Sequence, residues 1–245
     1  MKHPFRKKWG QNFLIDETII SNIINCLNLK TTDKILEIGP GEGALTNKLV
    51  KKINYLYGIE IDPLLIKKLK NKAFSNATFF EADILKWDFT RIPKNIIVIG
   101  NLPYNISSPI LFKLLKISNW NKMGLMFQKE VAERIISKPN SKSYGRLSIM
   151  CQVYCKTNIE LIIPKQMFTP QPKVDSAFVT FSRNNNNIPN IDDFSQLIKK
   201  AFSQRRKKLK NNLPEINKLG LLGEWAHMRP EELSPKNYLQ LLKRI

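Results

Sequence analysis

The chain has 245 residues, enough for one or two domains, and its 42% hydrophobic and 24% charged residues are ordinary for a globular protein with a real core. Lys and Arg number 40 against 20 Asp and Glu, a formal net charge of +20 that points to polyanionic partners and says nothing about fold. No apolar run approaches the ~20 residues of a membrane helix, and the basic start Met1-Lys2-His3-Pro4-Phe5-Arg6-Lys7-Lys8 lacks the apolar stretch of a secretory signal, so membrane and extracellular readings fall away.

In chain order, residues 34–39 read as a strand, 44–51 as an amphipathic helix, 55–61 as a strand, 64–72 as a helix and 78–82 as a strand. Residues 95–100 (Asn-Ile-Ile-Val-Ile-Gly) form another strand pattern, followed by a helix near 109–116 and a strand at 122–127. Short runs rich in Val and Ile that alternate with helical stretches predict a parallel sheet covered by helices on both faces. Residues 147–154, 159–163 and 176–181 then read as strands, with no long helix between the last two, which predicts an antiparallel edge. The polar run Ser182-Arg183-Asn184-Asn185-Asn186-Asn187-Ile188-Pro189 reads as a linker. Beyond it, 194–209 and 238–245 carry helical spacing. The expected organisation is an α/β domain over residues 1–183, a linker at 184–190 and a small all-helical basic domain over 191–245.

Cys26, Cys151 and Cys155 have no framework spacing, which fits a reducing cytosol, and only His3 and His227 are present to complete a metal site, so no metal is expected. The sharpest local signal is Ile35-Leu36-Glu37-Ile38-Gly39-Pro40-Gly41-Glu42-Gly43-Ala44, a buried strand that ends in glycines at every second position before a helix. Glycines let backbone approach a ligand, and the helix N-terminus faces it. The dinucleotide fingerprint spaces its glycines G-x-G-x-x-G. Here the spacing is G-x-G-x-G with Glu37 upstream, and a carboxylate there suits a cationic sulfonium and amino group better than a pyrophosphate. Glu60 ends the next strand, where it can accept ribose hydroxyls, and Asp83 ends the third, where it can meet an adenine amino group between the apolar walls Ile61 and Ile84.

Gly100-Asn101-Leu102-Pro103-Tyr104-Asn105-Ile106 follows the fourth strand. An adenine N6 is a poor nucleophile because its lone pair is delocalised into the ring. The Asn101 carboxamide oxygen and the Leu102 carbonyl, presented by the turn at Pro103, could accept both N6–H groups and aim that lone pair at a methyl carbon. Tyr104 would stack on the flipped base.

These segments, with Gly10-Gln11-Asn12-Phe13-Leu14, Tyr144-Gly145-Arg146-Leu147-Ser148 and Phe168-Thr169-Pro170-Gln171-Pro172-Lys173-Val174-Asp175-Ser176 in the same order, resemble the ribosomal RNA adenine N6,N6-dimethyltransferases, specifically the small-subunit (16S) branch. The resemblance implies a Rossmann-like class I methyltransferase sheet that uses S-adenosylmethionine. It implies that Asn12 and Leu14 close over this cofactor from the N-terminal arm and that Gly39 meets its methionine moiety. Glu60 would hold the ribose, Asp83 the adenine, and Asn101 would stand between cofactor and target amine. Phe168 would sandwich the target base opposite Tyr104. The implied substrate is a pair of adjacent adenosines in a hairpin near the 3′ end of small-subunit ribosomal RNA, within an assembling subunit. The cysteine usage places the protein in the cytoplasm, and a monomer is the default expectation. The large-subunit methyltransferases of macrolide resistance share the chemistry, and a non-catalytic assembly factor on the same fold is the rival from another class.

The charge has an expected destination. Residues 199–210 hold seven basic side chains and no acid, which would repel one another unless an anion neutralised them. Arg205, Arg206, Lys207 and Lys208 from this run, with Arg6, Lys7, Lys8, Arg146 and Lys173, are therefore expected to meet RNA phosphates on a helix face and around the cleft.

Overall fold

The computed structural model describes residues 10–184 and 190–245. Ahead of the first expected strand lie β1 (Phe13–Leu14) and α1 (Glu17–Cys26). Asp16 caps α1 by accepting from the Ile19 amide at 2.8 Å, and Ile20, Ile23 and Ile24 bury one face of the helix. The predicted alternation follows in β2 (Lys34–Ile38), α2 (Thr46–Leu49), β3 (Tyr55–Glu60), α3 (Pro63–Asn71), β4 (Ala77–Glu81), β5 (Ile96–Asn101), α4 (Ser107–Lys116) and β6 (Trp120–Gln128). Then come α5 (Lys129–Ile136), α6 (Arg146–Tyr154), β7 (Cys155–Ile163), β8 (Phe168–Thr169) and β9 (Ser176–Arg183). The C-terminal stretch holds α7 (Ile191–Ala201), α8 (Leu209–Asn212), α9 (Pro214–Lys218) and α10 (Pro235–Leu242), with short 3-10 turns between them.

The main sheet has the strand order β4-β3-β2-β5-β6-β9-β7. Neighbouring strands from β4 through β6 run parallel, and β9 lies antiparallel to β6, as the alternation and its late break predict. The order reverses between β2 and β5, and the crevice beyond the strand ends at such a reversal is where open α/β sheets hold ligands. A separate ribbon pairs β1 with β8, setting Phe13 opposite Thr169 and Leu14 opposite Phe168. Leu14 and Phe168 turn into the same apolar core as Ile24, Ile35, Ile97 and Ile163.

Residues 147–154 are helical, against the strand expected there. Seven of the nine residues of α6 are buried, so no polar stripe marks a helical period, and Leu, Ile and Val in close succession mimic a strand. The Gly145 amide donates to Ser148 Oγ at 3.1 Å and starts the helix. The expected helix at 194–209 also stops early, at Ala201, because the Asn212 side-chain amide takes the Ala201 and Gln204 carbonyls at 2.6 and 3.1 Å.

Two compact units result. One runs to Ala132 and resumes at Asn158–Ser182; the other joins Glu133–Thr157 to Arg183–Ile245. The break expected at 183 falls on this seam, but the second unit also claims residues 133–157, which the sequence pattern assigns to the first. The reason is packing within that unit: α6 lies against α7 and α10, Tyr154 meets Phe194 edge-on with ring centroids 6.1 Å apart, and the Tyr144 hydroxyl donates to the Leu233 carbonyl at 2.9 Å.

Candidate active site

The turn after β2 carries the first part of the site. Gly39 and Gly41 sit at φ of +67° and +60°, where a side chain would be strained. A Cβ on Gly41 would also come within 2.9 Å of the Phe13 ring, so the turn offers bare backbone beneath the N-terminal ribbon. Glu60 closes β3 and is 6% exposed. Its carboxylate accepts from the amides of Ile61, Asp62 and Gly41 at 2.9, 3.0 and 3.1 Å, which holds both oxygens in one orientation. Burial raises its pKa in spite of those bonds. Beyond β4, the Asp83 carboxylate accepts from the Leu85 amide at 2.9 Å.

Asn101 is the last residue of β5, and its Nδ2 donates to the backbone carbonyl of Asn12 at 2.7 Å. That bond assigns the amide: its donor end faces the N-terminal ribbon, and Oδ1 is the end left to accept. Asn12 in turn donates from Nδ2 to the Gly10 carbonyl at 3.3 Å. The turn, the strand ends and the ribbon line one open cleft. Asn12, Gly39, Gly41, Glu60, Ile61, Asp83, Ile84, Asn101, Leu102 and Pro103 all line it, as expected from sequence.

Four expected residues stand elsewhere. Leu14 and Phe168 are buried in the core at 5% and 2% exposure, and they support the ribbon instead of facing the cleft. The aromatic sandwich expected of Phe168 is therefore not formed here. That role is implied by the family resemblance alone, and pairing with Leu14 turns the ring inward. Glu37 is 1% exposed and lies behind the turn, accepting from Thr46 Oγ1 at 2.6 Å, so it braces the glycine turn and offers no carboxylate to a ligand. Tyr104 is half-buried just outside the cleft, with its hydroxyl 2.6 Å from Ser176 Oγ. Sequence reasoning misses Phe13, Gln11 and Ile106 as lining residues, although all three lie inside segments that it marks.

Burial pushes the Glu37 carboxyl up from 4.5 to about 7, with the nearby Glu60 adding to the rise and the Thr46 hydroxyl opposing it. The folded value exceeds the unfolded one, so the protonated form stabilises the fold. That contribution is complete below the unfolded value and is lost as pH rises through about 7. Glu37→Gln is accordingly expected to raise the urea midpoint relative to wild type near pH 8 and to leave it nearly level near pH 4.5. Equal midpoints at both pH values would remove burial of Glu37 as the cause.

The basic residues are mostly exposed. Lys173 lies on the loop before β9, and Arg146 opens α6. Arg205, Arg206, Lys207 and Lys208 are exposed but occupy the turn between α7 and α8, not a helix face, because α7 ends at Ala201. Arg205 is partly engaged inside its unit, donating to the Ser141 carbonyl at 3.2 Å and standing 4.0 Å from Glu231. Arg6, Lys7 and Lys8 lie outside the described residues. Among the described residues, no group of His, Cys, Asp and Glu side chains could hold a metal ion.

Comparison with known proteins identifies the family. Residues 2–242 match the family described as ribosomal RNA adenine dimethylase. The ribosomal RNA small subunit methyltransferase A of Neisseria meningitidis is 41% identical over 98% of this chain and 96% of its own. Its namesake from Legionella pneumophila is 42% identical over 100% and 99%. Among solved structures, a dimethyladenosine transferase from Plasmodium falciparum aligns over 94% of this chain and 95% of its own, with TM-score 0.84 and 28% identity. The 23S rRNA methyltransferase ErmE aligns over 95% and 99%, with TM-score 0.73 and 25% identity.

Proposed function

Because the chain belongs to the ribosomal RNA adenine dimethylase family, we propose that its substrate is a pair of adjacent adenosines in a hairpin near the 3′ end of small-subunit rRNA, which it converts to N6,N6-dimethyladenosine late in subunit assembly. The protein is an S-adenosylmethionine-dependent methyltransferase that dimethylates adenine in ribosomal RNA. When bound, S-adenosylmethionine supplies an electrophilic methyl group on a sulfonium. The residues present fit it. A glycine turn with positive φ leaves room at the backbone, Glu60 is held by three amides at the edge of the cleft, and Ile61 and Ile84 provide apolar walls.

In this reading Gly39 and Gly41 accommodate the methionine moiety, Glu60 accepts from the ribose hydroxyls and Asp83 accepts from the adenine amine. Asn12 closes the cleft from the ribbon. Asn101 Oδ1 and the Leu102 carbonyl accept the N6–H groups of the target base, drawing its nitrogen towards sp3 without any strong base. The observation that carries the assignment is the 2.7 Å bond from Asn101 Nδ2 to the Asn12 carbonyl, since it leaves the acceptor end of the amide for the substrate. We place Tyr104 on one face of the target base, and we assign phosphate contacts to the exposed Lys173, Arg146 and the basic turn at 205–208. We also place the protein in the cytoplasm, acting as a monomer. Among the described residues no helix is long and apolar enough to cross a membrane.

The test uses tritiated S-adenosylmethionine, purified protein and unmethylated small ribosomal subunits, with labelled nucleosides mapped by position. Label recovered as N6,N6-dimethyladenosine at two adjacent adenines near the 3′ end is the expected result. Label taken up only by large-subunit RNA offered in a parallel reaction, or salt-dependent binding to small subunits with no label, would refute the substrate or the catalytic role respectively.

A further inference from the structure

The tyrosine of the Asn-Leu-Pro-Tyr turn is held by a residue from a distant strand of the sheet. Ser176 is the first residue of β9, fully buried and opposite Gln128 of β6. Its Oγ lies 2.6 Å from the Tyr104 hydroxyl across 72 residues of sequence. At its other end the tyrosine is tied through its backbone, where Ser107 Oγ donates to the Tyr104 carbonyl at 3.1 Å. Tyr104 thus has both its main chain and the tip of its ring restrained, one by the start of α4 and the other by β9.

The approach to Ser176 is rigid as well. Asp175 accepts from the Lys129 amide at 2.9 Å through its carbonyl and from the Lys165 amide at 3.0 Å through its carboxylate. These bonds fasten the end of the exposed loop that carries Lys173, directly ahead of Ser176. A ring that is to form one wall for a flipped base must be set before the base arrives, because any rotation it retains is frozen out on binding. A buried hydroxyl on an interior strand supplies a fixed point for that purpose.

We infer that Ser176 is a positioning residue for the methyl-transfer reaction: its hydroxyl orients the Tyr104 ring for the target adenine. The inference rests on the reading that Tyr104 contacts that base, and the experiment separates the two. Ser176→Ala, Tyr104→Phe and the double variant are assayed for methylation of small subunits, with S-adenosylmethionine affinity measured alongside by calorimetry. Each single change removes the same bond, so each is expected to lower kcat/KM for RNA about tenfold. The double variant is expected to be no worse than either single one, and cofactor affinity to stay within about twofold of wild type.

A merely structural role for Ser176 would instead give additive losses that track the melting temperature, or would lower cofactor affinity in step, and either result overturns the inference. Wild-type kcat/KM in Ser176→Ala overturns it too. Tyr104→Ala decides the underlying reading. If it abolishes turnover while Ser176→Ala does not reduce it, the base contact stands and only the positioning role fails. If Tyr104→Ala turns over RNA like wild type, both fail.

Discussion

Asn101→Ala is expected to lose about a hundredfold to a thousandfold in turnover, the usual cost of deleting one oriented dipole aimed at a reacting group. Cofactor affinity should change by only a few fold, since Glu60, Asp83 and the glycine turn keep their places without it. Asn101→Asp sharpens the test. An aspartate is the stronger acceptor, yet it has no N–H for the Asn12 carbonyl, and its charge would sit against that oxygen. It is expected to turn over as poorly as the alanine variant. Single-turnover methylation of subunits, with cofactor binding measured separately, checks both. Wild-type turnover in Asn101→Asp would show that anchoring the amide to the ribbon does not set its orientation.

Reversing charge on the basic turn is expected to weaken RNA binding about tenfold to a hundredfold and to lower the slope of log affinity against log salt by about two, one unit for each phosphate no longer neutralised. The informative pair is Arg206→Glu with Lys207→Glu. Arg205 is a poor choice because it holds the Ser141 carbonyl and neighbours Glu231, whose Oε2 is buried without a hydrogen-bond partner. Replacing it would unbalance the fold of that unit and confuse stability with binding. Binding of the double variant to small subunits across a salt series gives the answer. An unchanged slope would remove this turn from the RNA interface, while S-adenosylmethionine affinity should not move in either case.

Much of the site is legible in the sequence because its parts are local. Each acceptor closes a strand: Glu60 at the end of β3, Asp83 just after β4 and Asn101 at the end of β5. Alternating strands and helices then force those ends to one edge of a parallel sheet. The glycine turn is likewise a backbone property, visible wherever a chain must adopt positive φ. Residues 147–154 read wrongly as a strand because a helix buried on nearly every side carries no periodic signal.

The alternation of strands and helices determined, by itself, the α/β class. The strand-end acids, the glycine spacing and the run Asn101-Leu102-Pro103-Tyr104 marked about half of the residues that line the cleft. Tertiary structure alone decided which way each side chain turns. It sent Glu37 behind the turn to Thr46 and drew Phe168 and Leu14 into the core. It fastened Asn101 to Asn12 across 89 residues and Tyr104 to Ser176 across 72. The physical reason is that a side chain's direction is set by which surface it can bury and which partner it can reach. Both depend on contacts between segments far apart in sequence, which no local pattern records.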